Sequence, residues 1–184
     1  MIRHSPVDCT LVPAGLSDAG LIAAIHTESW RDVYRPFLPE EFLAGPIEEN
    51  RNRHWHAKMS APDPHRRLVL KAVCRGDVAG FVCVLLDADP VWGPLLDNLH
   101  VRSAFKGLGI GWRMFRAAHE WVGATAPGQP MHLWVIEENL AARRFYDRQG
   151  GTIVERRVVE VTAGACLPAV RYLWPPISAV PTPL

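Results

Sequence analysis

The stretch KGLGIG, residues 106–111, sets glycine at every second position (Gly107, Gly109 and Gly111) between a strand-like run, PLLDNLHV, and a helix-like one, GWRMFRAAHEWV. Glycines so placed do not belong inside either neighbour, because each weakens a helix or strand by roughly 0.5–1 kcal/mol relative to alanine. The run is a strand-to-helix junction with a bare backbone. Such a junction is either a tight entry turn or a cradle, in which successive N–H groups and the positive end of the next helix meet an anion.

The elements around it come in a definite order. VDCTLV is a strand, and in AGLIAAIHTESWRDVY the residues Leu21, Ile22, Ile25, Ser29 and Val33 recur at helical spacing until Pro36 and Pro39 end the segment. A second helix is expected from Glu40 into the fifties; it is polar, interrupted by Gly45 and Pro46, and carries Trp55, which suits a surface or lid element. RLVLKAVC and VAGFVCVLL, split by Arg75, Gly76 and Asp77, form an antiparallel hairpin. PLLDNLHV is a fourth strand, and the helix after the glycines has the apolar stripe Met114, Ala118, Trp121 and Val122. MHLWVI is a fifth strand. ENLAARRFYDRQGG is a short helix capped by Asn139 and stopped at Gly150 or Gly151. IVERRVVEV and LPAVRYLW make a final hairpin around Thr162 to Ala165. This order, βααβββαβαββ, describes an α+β chain with a mixed sheet flanked by helices. One domain over residues 1–174 accounts for it, and 175–184, with four prolines in ten residues, is an extended or disordered tail.

Charge narrows the partners. Lys plus Arg number 20 against 19 acidic residues, so no net basic field draws in nucleic acid or an anionic membrane, and any anion must be gripped locally. No apolar run reaches the roughly 18 residues of a membrane span, and MIRHSPVDCT has no signal-peptide core, so the expected compartment is the cytoplasm. Cys9, Cys74, Cys83 and Cys166 form no C-x-x-C pair and are expected as small buried hydrophobes. HWH at 54–56 is not a metal site, since residues two apart diverge on a helix. No metal is expected.

Spacing sorts the phosphate-binding readings of the loop. A P-loop needs Gly, four residues, then Gly-Lys-Ser/Thr, and the sequence has no such run. A dinucleotide fingerprint, G-x-G-x-x-G, meets Met114 or Trp112 where its third small residue belongs, so the close helix-to-strand packing of that fold is missing. A basic residue, two residues, then G-x-G is satisfied by Lys106, Gly109 and Gly111. Here the chain resembles the GNAT superfamily of acyl-CoA-dependent N-acetyltransferases. A second stretch, NLAARRFYDRQGG, beginning 28 residues after Gly111, is similar to that family's other signature, an Asn followed by a short helix ending in Phe-Tyr and a glycine stop. Asn139 and Tyr146 are two helical turns apart, about 10.5 Å, and so project from nearly the same face.

The resemblance implies a GNAT-type, mostly antiparallel sheet whose fourth and fifth strands splay around an acyl-pantetheine arm. Backbone groups of Leu99, His100 and Val101 would bond that arm. The diphosphate would lie on Lys106, Gly107, Leu108, Gly109, Ile110, Gly111 and Trp112, Asn139 would hold the pantetheine, and Tyr146 would be the general acid at the sulfur. Acetyl-CoA would be the co-substrate, acetylating a primary amine by direct attack in a ternary complex. The amine must lose its proton to attack. Asp97, on the strand face of Leu95, Leu99 and Val101, is the candidate to take it; His100, on the other face, titrates in the right range. Asp97 is equally read as a strand-edge residue bonded to backbone. Trp30, Tyr34, Trp55 and Arg171 either line an acceptor cleft or pack the core. Relatives that acetylate protein N-termini often carry a Glu on the fifth strand where this chain has Trp134, which favours a small-molecule amine over a protein or peptide acceptor. A non-catalytic CoA-binding module is the remaining alternative, and the exposed final strands admit a homodimer.

Overall fold

The computed structural model describes residues 8–162 and 165–177. In chain order the described elements are β1 (Cys9–Pro13), α1 (Ala19–Tyr34), α2 (Glu40–Ala44), α3 (Pro46–Ser60), β2 (Arg67–Cys74), β3 (Asp77–Asp89), β4 (Gly93–Val101), α4 (Ile110–Thr125), β5 (Met131–Ile136), α5 (Leu140–Arg148), β6 (Thr152–Thr162) and β7 (Ala165–Trp174). The strands are ordered β1-β2-β3-β4-β5-β7-β6. Pairing is antiparallel for β1–β2, β5–β7 and β6–β7 and parallel for β4–β5. Parallel neighbours need a long crossover, and α4 supplies it. This is the expected α+β architecture. Residues 178–184, most of the expected Pro-rich tail, and residues 163–164 of the last turn lie outside the described residues. No described helix is long and apolar enough to cross a membrane.

The chain divides into two compact units: residues up to Cys83 with Asn98–Arg116, and Val84–Asp97 with residues from Ala117 on. In the first, α1 buries Ala19, Ile22, Ala23, Ile25, His26, Thr27 and Trp30, while Leu21 stays 42% exposed. The buried stripe is thus rotated from the one the apolar pattern marks, because Ala23 and His26 take core positions that hydrophobicity alone assigns elsewhere. Proline at the first turn of α3 starts that helix after the Gly45 break. Its polar composition suggested a surface or lid element, yet Ile47 and Trp55 are fully buried. The correction has a local cause. The Trp55 indole N–H donates to His26 Nδ1 at 2.9 Å, and a tryptophan with its N–H partnered can be buried whole.

The cysteines also depart from expectation. The β1–β2 register sets Cys9 directly opposite Cys74, and the two form a disulfide across 65 residues of sequence. Of the remaining two, Cys83 is a buried thiol as expected, whereas Cys166 is exposed. Strand pairing brings the bonded pair together, so sequence spacing carries no trace of it.

In the second unit α5 covers one face of the β5-β7-β6 sheet. Tyr146 lies 5.8 Å from the Tyr172 ring and 5.7 Å from that of Trp174. The Tyr172 hydroxyl donates to Asp147 Oδ1 at 2.7 Å, and the Trp174 indole N–H donates to the Gln149 carbonyl at 2.9 Å. These two bonds tie both ends of the aromatic cluster to the last turn of the helix.

Candidate functional site

The glycine loop follows from its backbone. Gly107 and Gly109 have φ of +78° and +75°, the left-handed region that side chains disfavour, and a Cβ at either would meet nothing within 4 Å. Internal packing therefore does not demand glycine there; backbone conformation does, and it leaves open space above the loop. Ile110 is buried and anchors the start of α4. The Gly109 carbonyl accepts the first helical bond, from the Arg113 N–H at 3.1 Å. The amides of Ile110, Gly111 and Trp112 come before that bond and have no carbonyl within the helix to reach. Lys106 and Leu108 are exposed, and Trp112 is 48% exposed with the Arg116 guanidinium 5.5 Å from its ring. Arg113 donates to the Cys9 carbonyl at 2.6 Å, which ties the helix start to β1.

The end of β4 is held against α1. His100 Nδ1 is 2.7 Å from Ser29 Oγ, Arg102 Nε donates to Glu28 Oε2 at 3.1 Å, and Ser103 Oγ donates to Asp32 Oδ2 at 3.0 Å. Leu99, His100 and Val101 are half-buried. Their strand is approached closely by β3: a Cβ on Gly80 would sit 2.3 Å from the His100 carbonyl oxygen. Beneath His100 lies an aromatic cluster in which His26 is 4.7 Å from His100 and Trp55 is 5.1 Å from Phe81, ring centre to centre. Because His26 Nδ1 accepts the Trp55 N–H, its own proton sits on Nε2. Burial drives its pKa far below 6.5 and keeps it neutral. Trp30 and Trp55 are therefore packing residues here, and Tyr34, half-buried, stacks 4.6 Å from Trp30.

In the second unit Asn139 caps α5, its Oδ1 accepting the Ala142 N–H at 3.1 Å. Tyr146 is 8% exposed, and burial raises its phenol pKa above the usual 10. Asp97 is half-buried on β4. Leu95 pairs with His132 across the parallel β4–β5 ladder, so by strand alternation Asp97 shares a face with His132 and Trp134. Arg171 of β7 lies on that face as the direct partner of Trp134. It is 4% exposed, donates to Asp89 Oδ2 at 3.0 Å, and has its Nε 2.8 Å from Glu155 Oε2. Its role is structural packing with charge neutralisation.

Sequence reasoning singled out the glycine loop, Asn139, Tyr146 and Asp97 but missed the Ser29–His100 bond, the His26–Trp55 bond and the cluster around Arg171. For the last, the alternation of Glu155 and Arg157 along β6 marks a charged face but not the partners that other strands bring to it. Among the described residues no three His, Cys, Asp or Glu side chains are grouped to hold a metal ion.

Comparison with known proteins places this geometry. No curated protein matches the sequence. Solved structures share the fold: PaiA N-acetyltransferase from Thermoplasma acidophilum in complex with coenzyme A is 17% identical, with a TM-score of 0.71 over 91% of this chain and 99% of that one. NAA60 of Arabidopsis thaliana, in complex with a bisubstrate analogue, is 18% identical with a TM-score of 0.67 over 91% and 97%. The yncA product of Salmonella typhimurium, an acetyltransferase solved with acetyl-CoA, is 16% identical with a TM-score of 0.65 over 96% and 98%. The Acetyltransferase (GNAT) family profile matches residues 27–151, a span that includes both the glycine loop and the Asn139–Tyr146 helix. The chain is a member of the GNAT acetyltransferase family.

Proposed function

We propose that the protein uses acetyl-CoA to acetylate the primary amine of a small molecule. The observation that carries this is the open loop at Gly107 and Gly109, followed by three helix-start amides without helical partners. Glycine where no neighbour requires it, beside amides that need an acceptor, fits a diphosphate. Two of the similar structures contain coenzyme A or acetyl-CoA, which supports the same assignment.

In this reading Lys106 and the amides from Gly107 to Trp112 hold the diphosphate, assisted by the helix dipole at about 0.3–2 kcal/mol. Backbone groups of Leu99, His100 and Val101 hold the pantetheine arm. Asn139 uses Oδ1 as the helix cap, so its Nδ2 amide is the group that reaches the pantetheine. Bound acetyl-CoA supplies an acetyl group activated as a thioester. Tyr146 is the general acid: its phenol is protonated at neutral pH and donates that proton to the departing thiolate. Asp97 receives the proton that the acceptor ammonium must lose.

A thermal-shift titration with acetyl-CoA, CoA, NADH and ATP tests the reading. Selective binding to the native state raises stability by about 2.7 kcal/mol at a hundredfold excess over Kd. A shift with acetyl-CoA and CoA is the expected result. A shift with NADH or ATP alone, or with none of the four, removes the acetyl-CoA assignment.

A further inference from the structure

The sheet face that carries Asp97 also carries a cluster of indoles and guanidinium groups in cation–π contact. The Arg171 guanidinium lies 5.0 Å from the Trp92 ring and 4.6 Å from the Trp134 ring, and Arg157 lies 4.1 Å from the Trp134 ring. The strands bring them together. Trp134 pairs with Arg171, Arg171 with Glu155, and Arg157 opposes Ala169, which opposes Ile136 at the end of β5. Trp92 follows β3 in a turn fixed by Asp89, whose Oδ1 accepts the Val91 and Trp92 N–H groups at 2.9 and 3.1 Å.

The two cations of this cluster differ in charge balance. Arg171 is buried and sits between two carboxylates, Asp89 and Glu155. His132, whose Nδ1 is 3.3 Å from Arg171, has its pKa lowered to about 4 by burial and by that guanidinium, so it adds no charge at neutral pH. Arg157 is exposed, and among the described residues no carboxylate pairs with it. The Trp134 ring, 4.1 Å from its Cζ, gives the exposed guanidinium an aromatic surface to rest on, and a guanidinium offers the fork of donors that matches a carboxylate with two parallel hydrogen bonds. Arg157, without a carboxylate partner among the described residues, is thus the cation of this cluster that also contacts an indole from an exposed position.

We infer that Arg157, positioned by Trp134, binds a carboxylate on the acceptor, so that the substrates are amines bearing a carboxylate. This rests on the proposed acetyltransferase function, with Asp97 on the same face taking the amine proton. Arg171 acts through Trp134: in contact with both indoles and neutralised by Asp89 and Glu155, it positions the ring against which Arg157 lies. The acceptor then contributes the anion that the face lacks and presents its amine toward β4.

The test uses the full chain and a panel of free amino acids, each beside its primary amide and its aminophosphonate analogue. Acetyl transfer and equilibrium binding in the presence of CoA are both measured, for the unmodified chain, Arg157→Gln and Arg157→Lys. Acids should exceed their amides by about tenfold or more in kcat/KM and in affinity, as expected for a hydrogen-bonded charge pair. Arg157→Gln should bring acid and amide within about twofold of each other through a raised KM for the acid, and Arg157→Lys should restore part of the preference. Equal use of acid and amide by the unmodified chain, or a preference that survives Arg157→Gln, overturns the proposal. A preference for the phosphonate over the acid overturns the carboxylate assignment. If acetyl-CoA neither binds nor reacts while acids still bind through Arg157, the anion site stands and the acetyltransferase reading falls. If acetyl-CoA binds normally and acids show no advantage, the reverse holds.

Discussion

The glycine loop and the Trp134 face were built by opposite means. At the loop, side chains are removed: Gly107 and Gly109 open onto empty space, and in the proposed function backbone amides are the working groups. On the Trp134 face, large side chains are clustered, and in the proposed function the working group is held by an indole beside buried charge. A backbone site can be recognised from local sequence, because the residues that permit it are neighbours in the chain. A side-chain site assembled from β3, β5, β6 and β7 cannot. The lesson extends to what a chain can change: the loop is constrained by conformation, whereas the clustered face offers several side chains through which acceptor choice could be altered.

Substitutions distinguish the two regions. The largest expected effect is at Gly109. A valine there fills the open side of the loop and forces a β-branched residue to φ of +75°, so acetyl-CoA binding measured by calorimetry should fall by more than about 4 kcal/mol, below detection at micromolar protein. Retained affinity would show that the loop is only an entry turn. The counterpart is Gly80→Ala. Its Cβ would meet the His100 carbonyl at 2.3 Å, and overpacking against backbone should cost about 3 kcal/mol in chemical denaturation, whereas Gly109→Ala should cost only about 1 kcal/mol for its left-handed conformation. Equal costs at the two positions would erase the distinction between a glycine required by packing and one required only by its backbone conformation.

Next comes Tyr146→Phe, which should lower kcat by about a hundredfold while leaving acetyl-CoA affinity within a few-fold, since only the proton donor is lost. Unchanged turnover would remove Tyr146 as the acid. The smallest effect is on pH dependence. His26 and His132 both have folded pKa values below 6.5, the latter near 4, so the unfolded chain binds more protons between about pH 6.5 and 4 and stability falls as pH drops through that window. Each histidine contributes a slope of up to about 1.4 kcal/mol per pH unit. Denaturation of His132→Gln across the window should show a shallower slope; an unchanged slope would mean that His132 is not held neutral in the fold.

The order of strands and helices was legible because periodicity and punctuation are local. The Arg75–Gly76 turn, the caps of the α5 helix and the stripe of Met114, Ala118 and Val122 all depend on residues within a few positions of each other. What the sequence hid depends on distance along the chain. The Cys9–Cys74 bond follows from the β1–β2 register. The burial of Trp55 in a helix of low apolar content follows from one partner, His26, on another helix. Arg171 is readable from the sequence either as a cleft residue or as a packing residue, and only strand pairing, which sets it between Asp89 and Glu155, decides for packing. At the candidate site, the same division separates the legible loop and Asn139–Tyr146 helix from the illegible cluster around Trp134.

Calorimetric titration of acetyl-CoA into the unmodified chain and into Gly109→Val, with CoA, NADH and ATP as comparators, decides whether the glycine loop is a diphosphate site for acetyl-CoA. Acetyl-CoA and CoA should bind the unmodified chain alone, and NADH and ATP should give no comparable heat. Equal binding of acetyl-CoA to both chains, or binding confined to NADH or ATP, would contradict that assignment.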